Sequence, residues 1–407
     1  MTDRFARRTN WKLTTNAYTR ALAEYRESGS ELLDLTASNP TTIGLQYDND
    51  KLLAALAKPE ALVYEPTPKG LLSARKAIAG YYAERGVQIS ADQLILTTST
   101  SEAYSFVFRL LCDPGDTILV PMPSYPLFDF LADIQDAKLM PYELVYDHGW
   151  QLDFPSLEQG LSAHNELGKC KAVLVVHPNN PTGSLCKPNE MAELADFCSR
   201  NHLAIIADEV FLDYSLNEAA KPSFAHVAHS SRPGFGREGG NEPLTFTLSG
   251  LSKISGLPQM KVAWIVTSGP DELRAEALNR LEVIADTYLS MNAPIQWAIP
   301  AMLQERHSMQ QQLMTRIRAN LAELDRQLAA QKLCTRLEVE GGWYVVLCVP
   351  VTASDEETSI ALLQSTGVLV QPGHFYDFAS DGYLVVSLIT PAEIFATGIK
   401  RLLRFIV

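Results

Sequence analysis

Lys253 is the residue whose type and surroundings point most directly to chemistry. It lies in a loop of small residues, Ser-Gly-Leu-Ser-Lys-Ile-Ser-Gly, directly after an apolar run over Leu244–Leu248. A desolvated lysine has a lowered pKa, and its neutral amine condenses with a carbonyl group to form a Schiff base. Because loop lysines are usually solvated, this chemistry depends on the residues that accompany Lys253 upstream.

Those residues follow a series of short apolar runs that we predict to be strands. The runs are Gln93–Thr98, Thr117–Pro121, Ala172–His177, Leu203–Ala207, Leu244–Leu248 and Val262–Thr267. Helical patterns over Ser101–Cys112, Tyr125–Ile134 and Asn189–Arg200 lie between them. Continuously apolar strands alternating with helices predict a mainly parallel sheet covered on both faces. Ligands bind beyond the carboxyl ends of such strands.

The predicted fold class is therefore α/β, with a large domain, a mainly parallel sheet sandwiched by helices, and a smaller α+β domain. A long helical stretch over Ile295–Gln331 precedes the smaller set of strands and helices. The predicted domains are residues 46–294 for the large one and 295–407 for the small one. Residues 1–45 are too few to form their own core, so we expect them to pack with the small domain.

Composition excludes several classes of function. The 407 residues carry a formal net charge of -13 and contain no basic stretch, which argues against nucleic-acid binding. The six cysteines are scattered without a C-x-x-C pair, and no apolar run reaches membrane-spanning length. We therefore expect a cytoplasmic protein with no membrane partner and no metal site.

Asp208 ends the apolar run that starts at Leu203. A carboxylate at the end of a buried strand needs a cationic or hydrogen-bonding partner. The pyridine nitrogen of pyridoxal phosphate is such a partner, and its protonation makes that cofactor an electron sink. Asp208 could alternatively be a helix N-cap or a metal ligand. The class of nucleotide hydrolases, which also have an acidic residue at a strand end, lacks support because no glycine-rich Walker loop precedes Asp208.

Two further positions can face a flat ring. The turn Asn180-Pro-Thr-Gly183 can aim the Asn180 amide at a ring oxygen, although the same sequence is an ordinary loop signal. Tyr125, at the predicted start of a helix, can stack on the ring or belong to the core.

Hydroxyl groups and a cation can hold a phosphate. Ser99, Thr100 and Ser101 start a predicted helix, where backbone N–H groups bind anions, although a simple N-cap has the same sequence. Ser252 and Lys261 flank the reactive lysine and add a donor and a positive charge.

In this order, the Asn-Pro-Thr-Gly turn, Asp208 and Ser-Lys253 resemble the pyridoxal-phosphate-dependent aminotransferases of fold type I, the class I/II aspartate-aminotransferase-like family. The resemblance runs from about Leu33 to the C-terminus. It implies that Lys253 forms the Schiff base and moves the substrate proton, and that Asp208 pairs with the pyridine nitrogen. It also implies cofactor contacts for the following residues: Asn180, Tyr125, Ser99, Thr100, Ser101, Ser252 and Lys261.

The resemblance further implies a homodimer with shared active sites. Tyr64, in Tyr-Glu-Pro-Thr-Pro-Lys-Gly, matches the tyrosine that reaches the phosphate bound by the partner subunit in this family. Two cofactor positions depart from the pattern. Phe211 replaces the usual tyrosine, so that Asn180 alone or Tyr214 would have to serve the ring oxygen. Lys261 replaces an arginine and supplies the charge without the bidentate fork.

The third departure concerns the substrate. Val385 stands where the family places the arginine that clamps the α-carboxylate. Loss of a bidentate contact costs roughly 1.5–3 kcal/mol and, more seriously, orientation of the substrate. His374 and Asn39, in segments that line the site in relatives, are candidates to replace it, and a structural role for either fits equally well.

The function predicted from these observations is an aminotransferase that moves an amino group from an amino acid to a 2-oxo acid by a ping-pong mechanism. The alternative on the same fold is a β-eliminating C–S lyase. The missing arginine makes this alternative more credible than it is for a chain that has the usual substrate clamp. A non-catalytic ligand-sensing domain of a transcription regulator is a third hypothesis. The acidic chain and the absence of a basic helix-turn-helix pattern before Tyr64 argue against it.

Overall fold

The computed structural model describes residues 4–11, 13–126, 128–164, 168–217, 222–225, 242–289 and 291–406. Its strands are β1 Leu33–Asp34, β2 Leu94–Thr97, β3 Thr117–Met122, β4 Lys138–Tyr146, β5 Trp150–Leu152, β6 Cys170–Val176, β7 Ala204–Asp208, β8 Thr245–Gly250, β9 Ala263–Ser268, β10 Thr335–Arg336, β11 Tyr344–Cys348, β12 Val368–Leu369, β13 Gln371–Pro372 and β14 Tyr383–Ser387. Its helices are α1 Ala17–Glu27, α2 Asn49–Leu56, α3 Leu72–Glu84, α4 Thr100–Leu111, α5 Phe128–Ile134, α6 Phe154–His164, α7 Pro188–Arg200, α8 Leu251–Ile254, α9 Asp271–Tyr288, α10 Ala293–Leu328, α11 Asp355–Thr366 and α12 Ala392–Ile406.

The largest sheet has eight strands in the order β2-β9-β8-β7-β6-β3-β4-β5. Strands β8, β7, β6, β3 and β4 pair in parallel, and β9 is antiparallel to both of its neighbours. Apolar side chains alternate between the two faces, so that Leu174 and Ile206 join one buried cluster while Val173 and Ile205 join another. The predicted α/β fold, with a mainly parallel sheet between helices, is confirmed.

The sequence-based strand bounds differ from the observed ones by no more than three residues for all six runs, but one helix start was wrong and one hairpin was missed. Helix α5 begins at Phe128 rather than at Tyr125, because the residue before a proline disfavours the helical region and Pro126 follows Tyr125. The hairpin of β4 and β5 was not predicted. Most side chains of β4 are not buried, and the strand contains Pro141, so it lacks the continuous apolar run of the inner strands.

A second, antiparallel sheet has the order β10-β11-β14-β13. The N-terminal strand β1 pairs in parallel with β12, which ties the start of the chain to this smaller α+β unit. Helix α10 spans 36 residues, and its two halves pack into different core clusters. The division at residue 294 stays a prediction. Within the described residues, no helix is long and apolar enough to cross a membrane.

Candidate active site

Five strands end at one edge of the large sheet, because β2, β3, β6, β7 and β8 all run in the same direction. Predicted site residues follow or end each of them: Ser99, Tyr125, Asn180, Asp208 and Lys253, in the same order. The topology therefore brings together side chains that are up to 154 positions apart in the sequence, 253 minus 99.

Asp208 is a buried carboxylate at the end of β7. The hydroxyl of Tyr104 donates to Oδ2 at 2.8 Å, and the backbone N–H of Val210 donates to Oδ1 at 3.1 Å. Burial raises the pKa of Asp208, while these two hydrogen bonds and the charge of Lys253 oppose the rise. The carboxylate is thus held in a fixed orientation near the lysine amine.

Lys253 lies in the single turn of α8 that follows β8. Its Nζ lies 4.6 Å from the centre of the Trp343 ring and 5.4 Å from that of Phe211. Burial lowers the pKa of Lys253 from 10.5 to about 8, and the negative charge of Asp208 partly counteracts this effect. A substantial fraction of the amine is therefore neutral at mildly alkaline pH, as nucleophilic attack on a carbonyl requires.

The backbone around Lys253 is held by side chains from three other segments. Tyr214 donates its hydroxyl to the Lys253 carbonyl at 2.6 Å, and Gln310 donates to the Ile254 carbonyl at 2.9 Å. Tyr47 donates to the carbonyl of Gly256 at 2.7 Å. Each of these carbonyl groups receives a donor, which fixes the loop that carries the amine. Because the Tyr214 hydroxyl donates to this backbone carbonyl, it is not free to take the role of the tyrosine that Phe211 replaces.

The Asn-Pro-Thr-Gly turn is also rigid. Asn179 donates to the carbonyl of Pro123 at 3.0 Å and to Thr182 Oγ1 at 2.9 Å, and it accepts a hydrogen bond from Ser124. Gly183 has φ +70°, and a Cβ there would lie 2.6 Å from a backbone carbonyl oxygen of the small unit. Only glycine suits this position.

Asn180 differs from its neighbour Asn179 in the hydrogen bonding of its side chain. The side chain is buried, and Oδ1 has no hydrogen-bond partner among the residues that the structure describes. A buried amide oxygen without a partner is uncommon and costs free energy. The unpaired oxygen indicates that this side chain is available to a polar ligand.

The hydroxyl triplet stands at the N-terminus of α4. Ser99 is the N-cap, and its Oγ accepts the backbone N–H of Glu102 at 3.1 Å. Thr100 and Ser101 are partly exposed at the same helix end, and Ser252 is partly exposed beside Lys253.

Lys261 is exposed and has φ +53°. The backbone of Lys261 therefore has a left-handed conformation just before the start of β9.

Aromatic rings form the walls around the amine. Tyr125 is 43% exposed, and its ring meets that of Phe128 edge-on at 6.4 Å. Phe211 is buried and packs edge-on against Trp343 at 5.3 Å and Tyr344 at 6.3 Å. The large sheet and the small unit therefore meet at the lysine.

The three substrate candidates have different surroundings. Val385 is 1% exposed in the middle of β14 and belongs to the core of the small unit. His374 is exposed, and its ring packs on Phe375 at 4.6 Å. Asn39 is exposed, and its Oδ1 accepts from the N–H and the hydroxyl of Thr41.

Sequence reasoning missed two residues of this site. Tyr104 lies one helical turn after Ser101 on α4, and this spacing could have indicated that its hydroxyl faces the same strand ends. Trp343 comes from the second sheet, after the Gly341-Gly342 pair, and no pattern in the sequence links it to Lys253.

Comparisons with known proteins agree with this geometry. The family model "Aminotransferase class I and II" matches residues 30–396. The glutamate-pyruvate aminotransferase AlaA of Haemophilus influenzae is 27% identical over 392 residues, covering 93% of this chain and 92% of that protein.

Solved structures show the same fold. An alanine aminotransferase from Pyrococcus furiosus has a TM-score of 0.85 with 23% identity, covering 99% of both chains. An aspartate aminotransferase from Thermotoga maritima has a TM-score of 0.81 with 21% identity, covering 98% of this chain and 99% of that one. With a family match over most of its length, the chain belongs to the class I and II aminotransferases.

Proposed function

We propose that this protein is a pyridoxal-phosphate-dependent aminotransferase that moves an amino group from an amino acid to a 2-oxo acid by a ping-pong mechanism. Members of the family generally use this cofactor. The observation that carries the proposal is the desolvated amine of Lys253, with a pKa lowered to about 8, near the buried carboxylate of Asp208. The named relatives suggest alanine and glutamate as the first amino donors to test.

The residues at the sheet edge fit the cofactor. Asp208 would hold the pyridine nitrogen, the side-chain N–H groups of Asn180 would donate to the ring oxygen, and Tyr125 would cover the ring. Ser99, Thr100, Ser101, Ser252 and Lys261 would hold the phosphate at the N-terminus of α4. When bound, the cofactor supplies an electron sink for the bond that breaks at the substrate α-carbon.

The protein's own groups then orient and move protons. The amine of Lys253 serves as the covalent attachment point and, once released, as the base and acid for the α-proton. Trp343 and Phe211 exclude water from one side of this amine. The buried Asp208, oriented by Tyr104, supplies the negative charge that keeps a bound pyridine nitrogen protonated.

We also propose a homodimer with shared active sites in the cytoplasm. Leu62, Val63 and Tyr64 are consecutive exposed side chains, and Tyr64 is 80% exposed. A run of exposed apolar and aromatic residues is typical of a surface that a partner covers. The six cysteines form no disulfide, which supports a reducing compartment.

Incubating the purified holoenzyme with single amino acids, without an oxo acid, tests the reaction. We expect L-alanine or L-glutamate to convert the absorption band of the bound cofactor once per active site, with one oxo acid formed and no ammonia. With an amino acid that carries a sulfur leaving group on its β-carbon, such as L-cystathionine, a band that persists while ammonia accumulates would replace this proposal with β-elimination. Val385 in place of a substrate arginine makes that reaction the second candidate. Lys253→Ala is expected to abolish the band and all turnover.

A further inference from the structure

The substrate side of the site lacks a guanidinium at the position where the resemblance leads one to expect it. Val385 is 1% exposed and cannot hydrogen-bond to a carboxylate. Arg316 is the arginine bonded near the end of β14, but its NH1 donates to the carbonyl groups of Ile43 and Ile389, at 2.6 and 3.4 Å. A group other than residue 385 would therefore have to hold an amino-acid carboxylate.

Gln371 lies directly beside Val385. In the antiparallel pair of β13 and β14, Gln371 is the cross-strand partner of Val385. Cross-strand partners point to the same face of the sheet, with Cα atoms about 4.5–5.5 Å apart. A glutamine side chain is long enough to reach, from the neighbouring strand, space that a longer residue at position 385 would fill. Gln371 is partly exposed, so its amide is accessible.

Tyr376 fixes the orientation of this amide. Its hydroxyl donates a hydrogen bond to Gln371 Oε1, which leaves the two N–H groups of Nε2 to point elsewhere. A donor on the amide oxygen also polarises the N–H groups and strengthens them as donors. Burial and the neighbouring phenols of Tyr344 and Tyr125 raise the pKa of Tyr376, so that it stays protonated.

Contacts connect this pair to the reacting lysine. The backbone N–H of Ser124 donates to the Tyr376 carbonyl at 3.0 Å, which places the Gly373–Tyr376 turn against the segment that carries Tyr125. Tyr344 lies beside Tyr376 and packs on Phe211, and the ring of Phe211 lies 5.4 Å from the Lys253 amine. The contacts of Tyr376, Tyr344 and Phe211 thus link the amide of Gln371 to the reacting lysine.

On the basis of the proposed function, we propose that Gln371 binds the carboxylate of the amino-acid substrate through neutral N–H donors. Tyr376 is the positioning residue that orients the Gln371 amide. The pair takes the place of a guanidinium clamp, with hydrogen bonds to the charged ligand and no formal positive charge.

The test measures binding of two non-reacting ligands to the cofactor-loaded enzyme. 2-Methylalanine has a carboxylate but no α-proton, so it binds without turnover, and 2-methylalaninamide replaces the carboxylate with a neutral amide. Titration of the cofactor absorption band gives a Kd for each. We expect Gln371→Leu to raise the Kd of 2-methylalanine about 10-fold or more and to change that of the amide by less than about 2-fold.

The second variant, Tyr376→Phe, removes the hydroxyl and keeps the ring. It is expected to raise the Kd of 2-methylalanine by about 3-fold or more, again with little effect on the amide. Tyr383→Phe is the matched control, because Tyr383 lies on β14 with its ring stacked on Phe378. It should leave both Kd values unchanged.

The inference is overturned if Gln371→Leu and Tyr376→Phe change the Kd values of the two ligands equally, or leave both unchanged. Either result would assign the pair a structural role. A wild-type enzyme that does not prefer 2-methylalanine to its amide would overturn it as well. Failure of the proposed function is separate, since it would appear as ammonia release from the amino acid without acceptor, or as the absence of a cofactor band that depends on Lys253.

Discussion

At the scale of single residues, the reactivity of this site depends on one amine. Lys253 is surrounded by the rings of Trp343 and Phe211, which provide little solvation for a positive charge. Its ammonium form is therefore destabilised, and the charge of Asp208 restores only part of the lost stabilisation. The two effects leave an amine that is neutral over more of the physiological range than an ordinary lysine.

We predict that the capture of cofactor by the apoprotein rises with pH and levels off above about 8. Only the neutral amine reacts, so the rate should fall about tenfold per pH unit below that value. Asp208→Asn removes a charge that raises the pKa, and it should move the midpoint to lower pH. Borohydride trapping at each pH, followed by mass spectrometry of the Lys253 peptide, measures the profile.

Lys51 is an internal control for this profile. It is exposed, and its hydrogen bond and ion pair with Glu305 raise its pKa above 10.5. Its labelling should still increase at pH 10. A Lys253 profile that also keeps increasing to pH 10 would contradict the lowered pKa.

Individual residues also show the limits of prediction from the sequence. Asp208, Asn180 and Lys253 could be identified because each follows an apolar strand, and strand ends meet at a common edge. Trp343 and Gln371 could not, since they belong to another sheet whose position relative to the first depends on tertiary packing. The unpaired amide oxygen of Asn180 likewise becomes visible only when its neighbours are known.

At the scale of elements, the reactive lysine stands on a very short support. Helix α8 has four residues and cannot hold its own geometry by internal hydrogen bonds. Tyr214, Gln310 and Tyr47 supply the missing donors from other parts of the chain. The position of the amine is therefore determined by tertiary contacts.

Tyr214→Phe tests this support. The Lys253 carbonyl loses its donor, and we expect the free energy of unfolding to fall by about 1–3 kcal/mol. We also expect a shift in the pH midpoint of Lys253 labelling, because the loop that carries the amine is released. Denaturant unfolding and the trapping experiment measure the two effects.

Tyr142→Phe is the matched control for this variant. Tyr142 is equally buried, and its hydroxyl donates to the Leu174 carbonyl at 2.9 Å, within the large sheet. It should lower stability by a similar amount without moving the labelling midpoint. Identical labelling profiles for the wild type and Tyr214→Phe would show that the contact supports the fold and not the amine.

Elements differ in how well the sequence predicts them. The inner strands are buried on both faces, so their apolar runs are continuous and their positions were predicted closely. Strand β4 has mostly exposed or partly exposed side chains, which conceals the strand pattern. Helix α5 begins only after Pro126, because the residue before a proline disfavours the helical region, and the helical periodicity of the sequence does not reveal this local rule.

At the scale of the whole molecule, the site lies between two units that share one long helix. The first half of α10 packs against α3 and the edge of the large sheet, and its second half packs in the core of the small unit. Trp343 and Tyr344 reach the lysine from the small unit. The packing of the two units therefore determines the shape of the site, a property that motifs in the sequence cannot specify.

The exposed segment Leu62–Tyr64 leads to a prediction about the assembly. If Tyr64 completes the phosphate site of a partner subunit, then Lys253→Ala and Tyr64→Ala fail for different reasons and can complement each other. A mixed dimer has one site with both residues intact, contributed by different subunits. Unfolding and refolding an equal mixture should restore about a quarter of the wild-type activity, because half of randomly formed dimers are mixed and each has one working site.

The comparison that decides this point uses each variant refolded alone. Lys253→Ala should stay inactive, since it lacks the reacting amine. Tyr64→Ala should bind the cofactor weakly, because it loses a donor to an anionic ligand. A mixture no more active than the sum of the two would mean that Tyr64 serves its own subunit or none. The 80% exposure of this side chain favours the shared site, because a donor so accessible in one chain is free to reach a phosphate held by another.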